Sequence, residues 1–519
     1  MNKLAVLSNV NMDPLKHVLQ KENDSELYFA GYNQWQSELL NPESGLHLFL
    51  PEYIFISINA EEFQADISEL FECVEFYLER HKGVHVILSN FSYPPYSVLT
   101  YTDRNALDET GLNNRLNDFA STHENVFILD FNRLIRFYGY KSLFDDKYWY
   151  LGDIKYSNQG FVVLSRELKN VMASLQNKSK KVLILDLDNT LWGGVVGEEG
   201  WQNVNLSVTG VGRIFVDFQR KIKQLQQTGV LLAVCSKNNE KDVREVFENN
   251  RSMILSWDDF IVHQINWERK SENIIQIADS LSLGLDSMVF IDDNPVEREQ
   301  VSMAIPELIV PDFPKDITVL NQWFVMEVVY PFFPKQKITG EDAQKTLQYK
   351  RNIDREAIRK RLDYNLFIEQ LNIKLNIFEP SVEGCHRMAQ LTQKTGQFNL
   401  TGKKYTEPEI RLFLEDENTE IWACEYHDKF GNEGLIGCCI VKTEGTKAII
   451  DSFLLSCRVL GRKVEFSFLE YVLNVLKQNG IKMVEAHYVE TPRNHPAKYF
   501  YSEAGFKTED HCKFAMTLN

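Results

Sequence analysis

The chain has 519 residues, of which 44% are hydrophobic and 25% charged, with 56 basic against 73 acidic side chains and a formal charge of −17. That length and ordinary soluble composition predict about three or four domains. The acidic excess excludes nonspecific binding to nucleic acid or an anionic membrane, whose phosphates would repel it, but leaves room for a local phosphate pocket.

In chain order, MNKLAVLSNVNMDP opens with one lysine and a short apolar piece, and it meets asparagine and charge too early for a secretory signal. No apolar run reaches the length of a membrane span. Over residues 1–177, the runs KLAVLSN, YIFISIN, VHVILSN and VFILDF read as buried strands. Between them, EEFQADISELFECVEFYLERH carries apolar residues at helical spacing. Strand–helix alternation predicts a parallel α/β domain ending near Asn177. A second α/β domain, with its connector, is expected over 178–345. Its strands are VLILDLD, VLLAVCSKN, DDFIVHQIN and SMVFIDDNP. The first intervening helix, RIFVDFQRKIKQLQQTG, has Ile214, Phe215, Phe218, Ile222 and Leu225 on one face and Gly229 as its stop. KDVREVFENN and SENIIQIADSLSLG supply further helices. This is the pattern of a doubly wound sheet, whose ligands sit at the carboxyl ends of its strands. The charged segment EDAQKTLQYKRNIDREAIRKR predicts a helix acting as a solvated bridge or a brace. Residues 346–519 change to longer strands, EIWACEYHD, GLIGCCIVK and KAIIDSFLLS, then a long helix, MVEAHYV and a final helix and strand. This predicts an α+β domain with a largely antiparallel sheet. The eight cysteines form no C-x-x-C pair, and most lie in apolar runs. They read as reduced core residues or a catalytic thiol, and the expected location is cytoplasmic.

The chemistry-bearing residues gather at the strand exits of the second domain. Asp186 and Asp188 stand two apart where VLILDLD ends. Alone, such a pair is equally well a solvated strand cap. Ser236 ends the next strand, Lys270 begins a helix, and Asp292 and Asp293 end a further strand. All of these fall on one edge of one parallel sheet. The set suits phosphoryl transfer through an aspartyl phosphate. One carboxylate attacks phosphorus, a second protonates the leaving oxygen and later activates water, and a hydroxyl and an ammonium hold the phosphoryl oxygens. A divalent cation relieves the repulsion among the acids, and Mg2+ fits a site of few carboxylates and a substrate phosphate.

D-L-D-N-T, with Ser236, Lys270 and the Asp292–Asp293 pair, resembles the haloacid dehalogenase (HAD) phosphohydrolase signature. The resemblance implies Asp186 as nucleophile, Asp188 as general acid/base and Lys270 as charge stabiliser. Thr190 and Ser236 become phosphoryl ligands, with Lys237 and Asn238 beside them on the substrate side. Mg2+ is then held by Asp186, the Asp188 carbonyl and Asp292, with Asp293 as a further ligand or an orienting group. The spacings leave no room for a cap domain, which implies an open site suited to a phosphate on a large carrier, or another domain of the chain as lid.

LDLDNTLWGGVVGEEG, CSKN, FIDDNPVERE, KTGQFNLTGKKYT, HDKFGNEGLIG, SCRVLGRKVE and RNHPAKYFY together resemble FkbH-like proteins. The resemblance implies that a three-carbon unit from a small phosphorylated acyl donor, 1,3-bisphosphoglycerate, is placed on the phosphopantetheine thiol of an acyl carrier protein and dephosphorylated. The last domain resembles a distant GNAT acyltransferase. In CRVLGRK, Arg458 and Gly461 match its pyrophosphate loop, and Lys463 stands where glycine or alanine is expected. Cys457 is a candidate thioester relay or a buried strand cysteine. Asn494 is a substrate-orienting group or a turn residue, and His427 and His495 are candidate bases or loop hydrogen-bonders. The first domain resembles an SGNH hydrolase through Ser8, Gly31, Asn90 and Asp153, but Tyr156 occupies the histidine position. Without that base the domain is expected to be an inactive scaffold or a carrier-protein dock. Two other functions remain open: a Mg2+-dependent phosphatase on a sugar- or lipid-linked phosphate, and a non-catalytic scaffold in a biosynthetic complex.

Overall fold

In the computed structural model of the chain, NKLAVLS forms strand β1 (Asn2–Ser8), with Leu4, Ala5, Val6 and Leu7 all buried. A continuous apolar run is what a strand covered on both faces requires. The structure describes residues 2–21, 25–59, 67–93, 109–176, 179–335, 340–359, 361–508 and 512–518, without the side chains of 340–344, 356, 357, 394 and 457. It divides into two units, Met1–Ala343 and Gln344–Asn519.

The first unit holds two parallel sheets. β1 is joined by β2 (Ser25–Phe29), β3 (Tyr53–Ser57), β4 (His85–Ser89) and β5 (Val126–Leu129) in the flavodoxin-like order β2-β1-β3-β4-β5. The helix Asn158–Leu175 closes this layer, and there Gly160 is in close contact with its neighbours. A Cβ at Gly160 would lie 2.1 Å from the Leu143 carbonyl oxygen. Gly160→Ala is therefore expected to destabilise the unit by about 1–3 kcal/mol, read from amide exchange in β1 and β3.

The second sheet contains β6 (Val182–Leu185), β7 (Leu231–Ser236), β8 (Phe260–Ile265) and β9 (Met288–Ile291), all parallel, in the order β8-β7-β6-β9. The chain lays β7 and β8 on one side of β6, then returns to place β9 on the other. Connections therefore diverge at the carboxyl end of β6, where a doubly wound sheet leaves its ligand crevice. The helix Gly212–Gln227 buries Phe215, Phe218, Ile222 and Leu225, with Ile214 at the margin of the core. Gly229, at φ 90°, turns the chain into β7.

Beyond β9, the chain returns through Leu320–Trp323 and the π-helical turn Phe324–Val329. Phe324, Val328 and Phe333 enter the core under the second sheet, whereas Met326 packs into the core of the first. The Arg133 guanidinium lies 3.9 Å over the Tyr330 ring, and Arg166 pairs with Glu327 at 3.4 Å. The wide π turn lets neighbouring residues serve two cores.

The second unit is an α+β layer of β10 (Lys374–Phe378), β11 (Thr419–Asp428), β12 (Gly431–Glu444), β13 (Lys447–Leu455), β14 (Met483–His487), β15 (Lys507–Thr508) and β16 (Lys513–Thr517). Their order is β10-β11-β12-β13-β14-β16-β15, antiparallel except for the β13–β14 pair. The helix Val464–Gln478 buries Phe468, Leu469, Val472 and Leu476 against it. Of the two expectations for the charged helix, Gly340–Arg359, the brace is what forms. Gln348 and Arg355 are buried, and Arg355 reaches Asp428 through Nε at 2.7 Å and Nη2 at 2.8 Å, and Glu433 through Nη1 at 2.6 Å. The fork geometry of arginine lets one side chain bridge two buried acids. No helix among the described residues is long and apolar enough to cross a membrane.

Candidate active site

Asp186 leaves the end of β6, where its N–H donates to the Ile291 carbonyl at 3.0 Å and so ties the exits of β6 and β9 together. It is 5% exposed, and Asp292, at the exit of β9, is fully buried. Carboxylate oxygens of Asp186, Asp292 and Asp293 all lie within 4.8 Å of one another. Lys270, at the first position of the helix Lys270–Leu281 and 4% exposed, reaches into this cluster. Its Nζ lies 2.5 Å from Asp292 Oδ2 and 3.1 Å from Asp186 Oδ2. Burial disfavours the ammonium, yet Asp186 and Asp292 outweigh that cost and raise its pKa above the usual lysine value. Three acids against one cation leave a surplus of negative charge. Burial, then Asp186 and Asp292, push the Asp293 carboxyl up to about 6; burial and Asp186 raise Asp292 as well, against Lys270. Asp186 Oδ1 is buried and accepts no hydrogen bond from the described residues. A buried carboxylate oxygen is rarely left so, and a bound cation or phosphoryl group would satisfy it. The residues therefore fit a hard divalent ion.

Asp188 is half-buried beside the cluster and bonded on both oxygens. Oδ1 accepts the Trp192 indole N–H at 2.9 Å and the Val196 amide at 3.2 Å, while Oδ2 accepts Asn238 Nδ2 at 3.0 Å. Burial raises its pKa against these bonds. Asn238 also donates to Ser236 Oγ at 3.2 Å, so one amide joins the β6 and β7 loops. Ser236 is buried at the end of β7. Thr190 is buried too, and its Oγ1 accepts the Asp293 amide at 3.2 Å, which ties the loops after β6 and β9. Lys237 turns outward to Glu297 at 2.6 Å. Asn189, at φ 53°, makes the tight turn between Asp188 and Thr190. Two contributors lie within the quoted motif strings but are not singled out there. Arg298 donates to the Asp292 and Asp293 carbonyls at 2.9 and 2.8 Å, and Trp192 orients Asp188. Only the four-residue spacing from Asp188 hints at the latter. Cys235 points to the Lys270 carbonyl at 3.6 Å, and burial raises its pKa far from thiolate character. A groove of about 570 Å3 opens beside the cluster, sharing Asp293 and Asn189 with it.

The remaining sequence-singled residues lie elsewhere. In the second unit, Arg458 turns inward, with Nε 3.0 Å from Ser456 Oγ and Nη1 3.2 Å from both Gln348 Oε1 and the Glu433 carbonyl. Cys457 starts the short turn Cys457–Val459, and its side chain lies outside those described. Asn494 is fully buried with its amide saturated. Oδ1 accepts from the Thr491 amide and the Tyr488 hydroxyl, and Nδ2 donates to the Asn399 and Val489 carbonyls. That leaves it no lone pair or proton for a substrate. His427 and His495 are exposed. In the first sheet, Ser8 Oγ donates to the Ser57 carbonyl at 2.5 Å and accepts the Val10 amide, so it engages main chain alone. The Tyr156 hydroxyl meets Ser57 Oγ at 3.0 Å instead. Asn90 pairs with Asp130, while Gly31 and Asp153 lie on exposed turns.

No family model and no curated protein matches the chain. Among solved structures, it is similar to the N-terminal part of the protein BF1531 from Bacteroides fragilis, which contains a phosphatase domain and was crystallised with Mg. Identity is 31%, over 65% of this chain and 94% of that one, with a TM-score of 0.57. Fainter likenesses cover 28% of this chain. One is to the ribosomal-protein-S18-alanine N-acetyltransferase of Escherichia coli (12% identity, 95% of that chain, TM-score 0.23). Another is to the PaiA N-acetyltransferase of Thermoplasma acidophilum in complex with coenzyme A (18% identity, 98% of that chain, TM-score 0.21).

Proposed function

This chain belongs to the same family as the Bacteroides fragilis phosphatase-domain protein BF1531, and from that premise we propose that its second sheet is a Mg2+-dependent phosphatase of the HAD type. The observation that carries this is the buried, unpartnered Asp186 Oδ1 among Asp292, Asp293 and Lys270. Asp186 attacks phosphorus, and the P–O bond to the leaving alkoxide breaks. Asp188, whose pKa burial raises, gives that alkoxide its proton. Water then attacks the aspartyl phosphate, with Asp188 taking the proton, and orthophosphate leaves. Lys270, Ser236 and Thr190 hold the phosphoryl oxygens, and Asn238 fixes Asp188 against Ser236, whereas Lys237, paired outward with Glu297, is left without the substrate contact its place beside Ser236 suggested. Asp186, the Asp188 carbonyl, Asp292 and Asp293 would hold Mg2+, which neutralises the acids and polarises phosphorus.

The expected result is that EDTA stops phosphate release and Mg2+ restores it. Protons and metal compete for the same carboxylates, and the Asp293 carboxyl lies at about 6 without metal. The Mg2+ concentration for half-maximal rate should therefore climb as pH falls through 6, by about tenfold per unit for each proton displaced. A half-maximal concentration that stays flat from pH 7 to 5 counts against these ligands.

The finer activity we propose is loading. A phosphoglyceryl unit from 1,3-bisphosphoglycerate passes to the phosphopantetheine thiol of an acyl carrier protein in the cytoplasm, the acyl C–O bond breaking and its phosphate leaving as orthophosphate, and the remaining phosphate monoester is hydrolysed here. Cys457 serves as thioester relay and the Arg458 loop as phosphate contact. The first sheet, whose Ser8 lacks a base, serves as scaffold or dock. Support comes from the motif strings over 457–463 and 493–501. The inward engagement of Arg458 and the saturated amide of Asn494 favour a second reading, in which the chain is a phosphatase on a sugar- or lipid-linked phosphate and the other domains only bind. Weighing a holo carrier protein after incubation with bisphosphoglycerate and Mg2+ separates the two. A glyceryl increment supports loading; free phosphate with an unshifted carrier supports the second. A purely structural scaffold has no use for an unneutralised acidic cluster.

A further inference from the structure

We propose that Lys315 is a specificity-determining residue that makes the groove beside the acidic cluster select phosphate monoesters whose alcohol half carries a second anionic group. The proposal rests on the phosphatase reading above. The groove is lined on its apolar side by Val211, Phe215, Phe313 and Ile317, and it shares Asp293 with the cluster. A phosphate held at Asp186 would therefore project its alcohol half along this wall. The other charged groups lining the groove, Asp293 and Glu199, are acidic. Alone they would repel any anionic alcohol half.

Lys315 is the cation that faces them. It is exposed, and it has no ion-pair partner among the described residues. Its neighbours hold its backbone without engaging its ammonium. Pro314 fixes the preceding torsion, and the Asp316 carboxylate caps the turn Ile317–Val319 through the Thr318 amide at 2.9 Å and hydroxyl at 2.7 Å. Glu199 is likewise occupied, accepting the Val195 amide at 3.3 Å. An ammonium without an ion-pair partner among the described residues, lining the same groove as Asp293 and an apolar wall, is the arrangement that reads a carboxylate or second phosphate on the departing alcohol. A neutral alcohol would gain nothing from it.

The test uses the full-length chain with Mg2+ and three esters: p-nitrophenyl phosphate, glycerol 3-phosphate and 3-phosphoglycerate. The quantity read is kcat/KM for 3-phosphoglycerate divided by that for glycerol 3-phosphate. In Lys315→Met this ratio should fall by about three- to fivefold, the upper end for a solvent-exposed ion pair, and the loss should appear in KM. Lys315→Glu should lower it further, and Lys315→Arg should restore it. If the unsubstituted chain hydrolyses the esters and the Met and Glu variants keep its ratio within twofold, the inference falls and the phosphatase stands. Hydrolysis of p-nitrophenyl phosphate with neither glycerol ester accepted also removes the inference alone. If none of the three is hydrolysed, the phosphatase reading falls and takes this inference with it.

Discussion

Asp186→Asn is expected to cut phosphate release by at least about a thousandfold while leaving the second sheet as stable as before. Asparagine keeps the shape of the side chain and loses the charge and the attacking oxygen. Lys270 keeps its 2.5 Å contact with Asp292, so no buried cation is stranded. One acid fewer among three also relieves the repulsion that raises Asp292 and Asp293. A loss of activity therefore cannot be put down to unfolding, and amide exchange in β6 and β9 checks this directly. Released orthophosphate at saturating Mg2+ is the readout. A variant retaining a tenth of the rate would mean that another group attacks phosphorus.

Arg355→Met should be the most destabilising single change in the second unit, costing about 3–5 kcal/mol. It leaves Asp428 and Glu433 facing each other in a fully buried site, where Glu433 Oε2 already lacks a hydrogen-bond partner among the described residues and Arg458 stands 3.9 Å away. The chain has several cores, so a single melting temperature would blend them. Exchange of the β11 and β12 amides in the full-length chain isolates the effect. The triple variant Arg355→Met, Asp428→Leu, Glu433→Met removes both charges with their partner and should recover most of the loss. A single variant costing under about 1 kcal/mol would show the ion pairs to be incidental.

The parallel sheets were legible because strands buried on both faces are apolar almost throughout, as β6 is and as β3 is up to its terminal Ser57. β2, β10 and β15 were not, since each lies at or near a sheet edge and mixes polar with apolar residues. The acidic cluster was legible for a topological reason: adjacent parallel strands deliver their exits to one place, so Asp186 and Asp292 meet although a hundred residues separate them. Side chains that act on main chain or fold inward were hidden. Arg298 clasps two carbonyls, Asn494 spends its whole amide on its own loop and the Asn399 carbonyl, and Arg355 sits on a helix whose composition suggests solvent. In a sequence such residues look like any surface arginine or turn asparagine. Direction decides them, and direction depends on tertiary packing.

The π turn at Phe324–Val329 binds the histories of the two parallel sheets. Deleting the leading 177 residues would bare Met326, Val325 and Tyr330 to water and strip Glu327 of its arginine. A trimmed enzyme would thus emerge sticky and prone to clump, whatever the health of its acidic centre. Any exchange of the leading third of the chain would therefore have to carry a matching version of this returning segment.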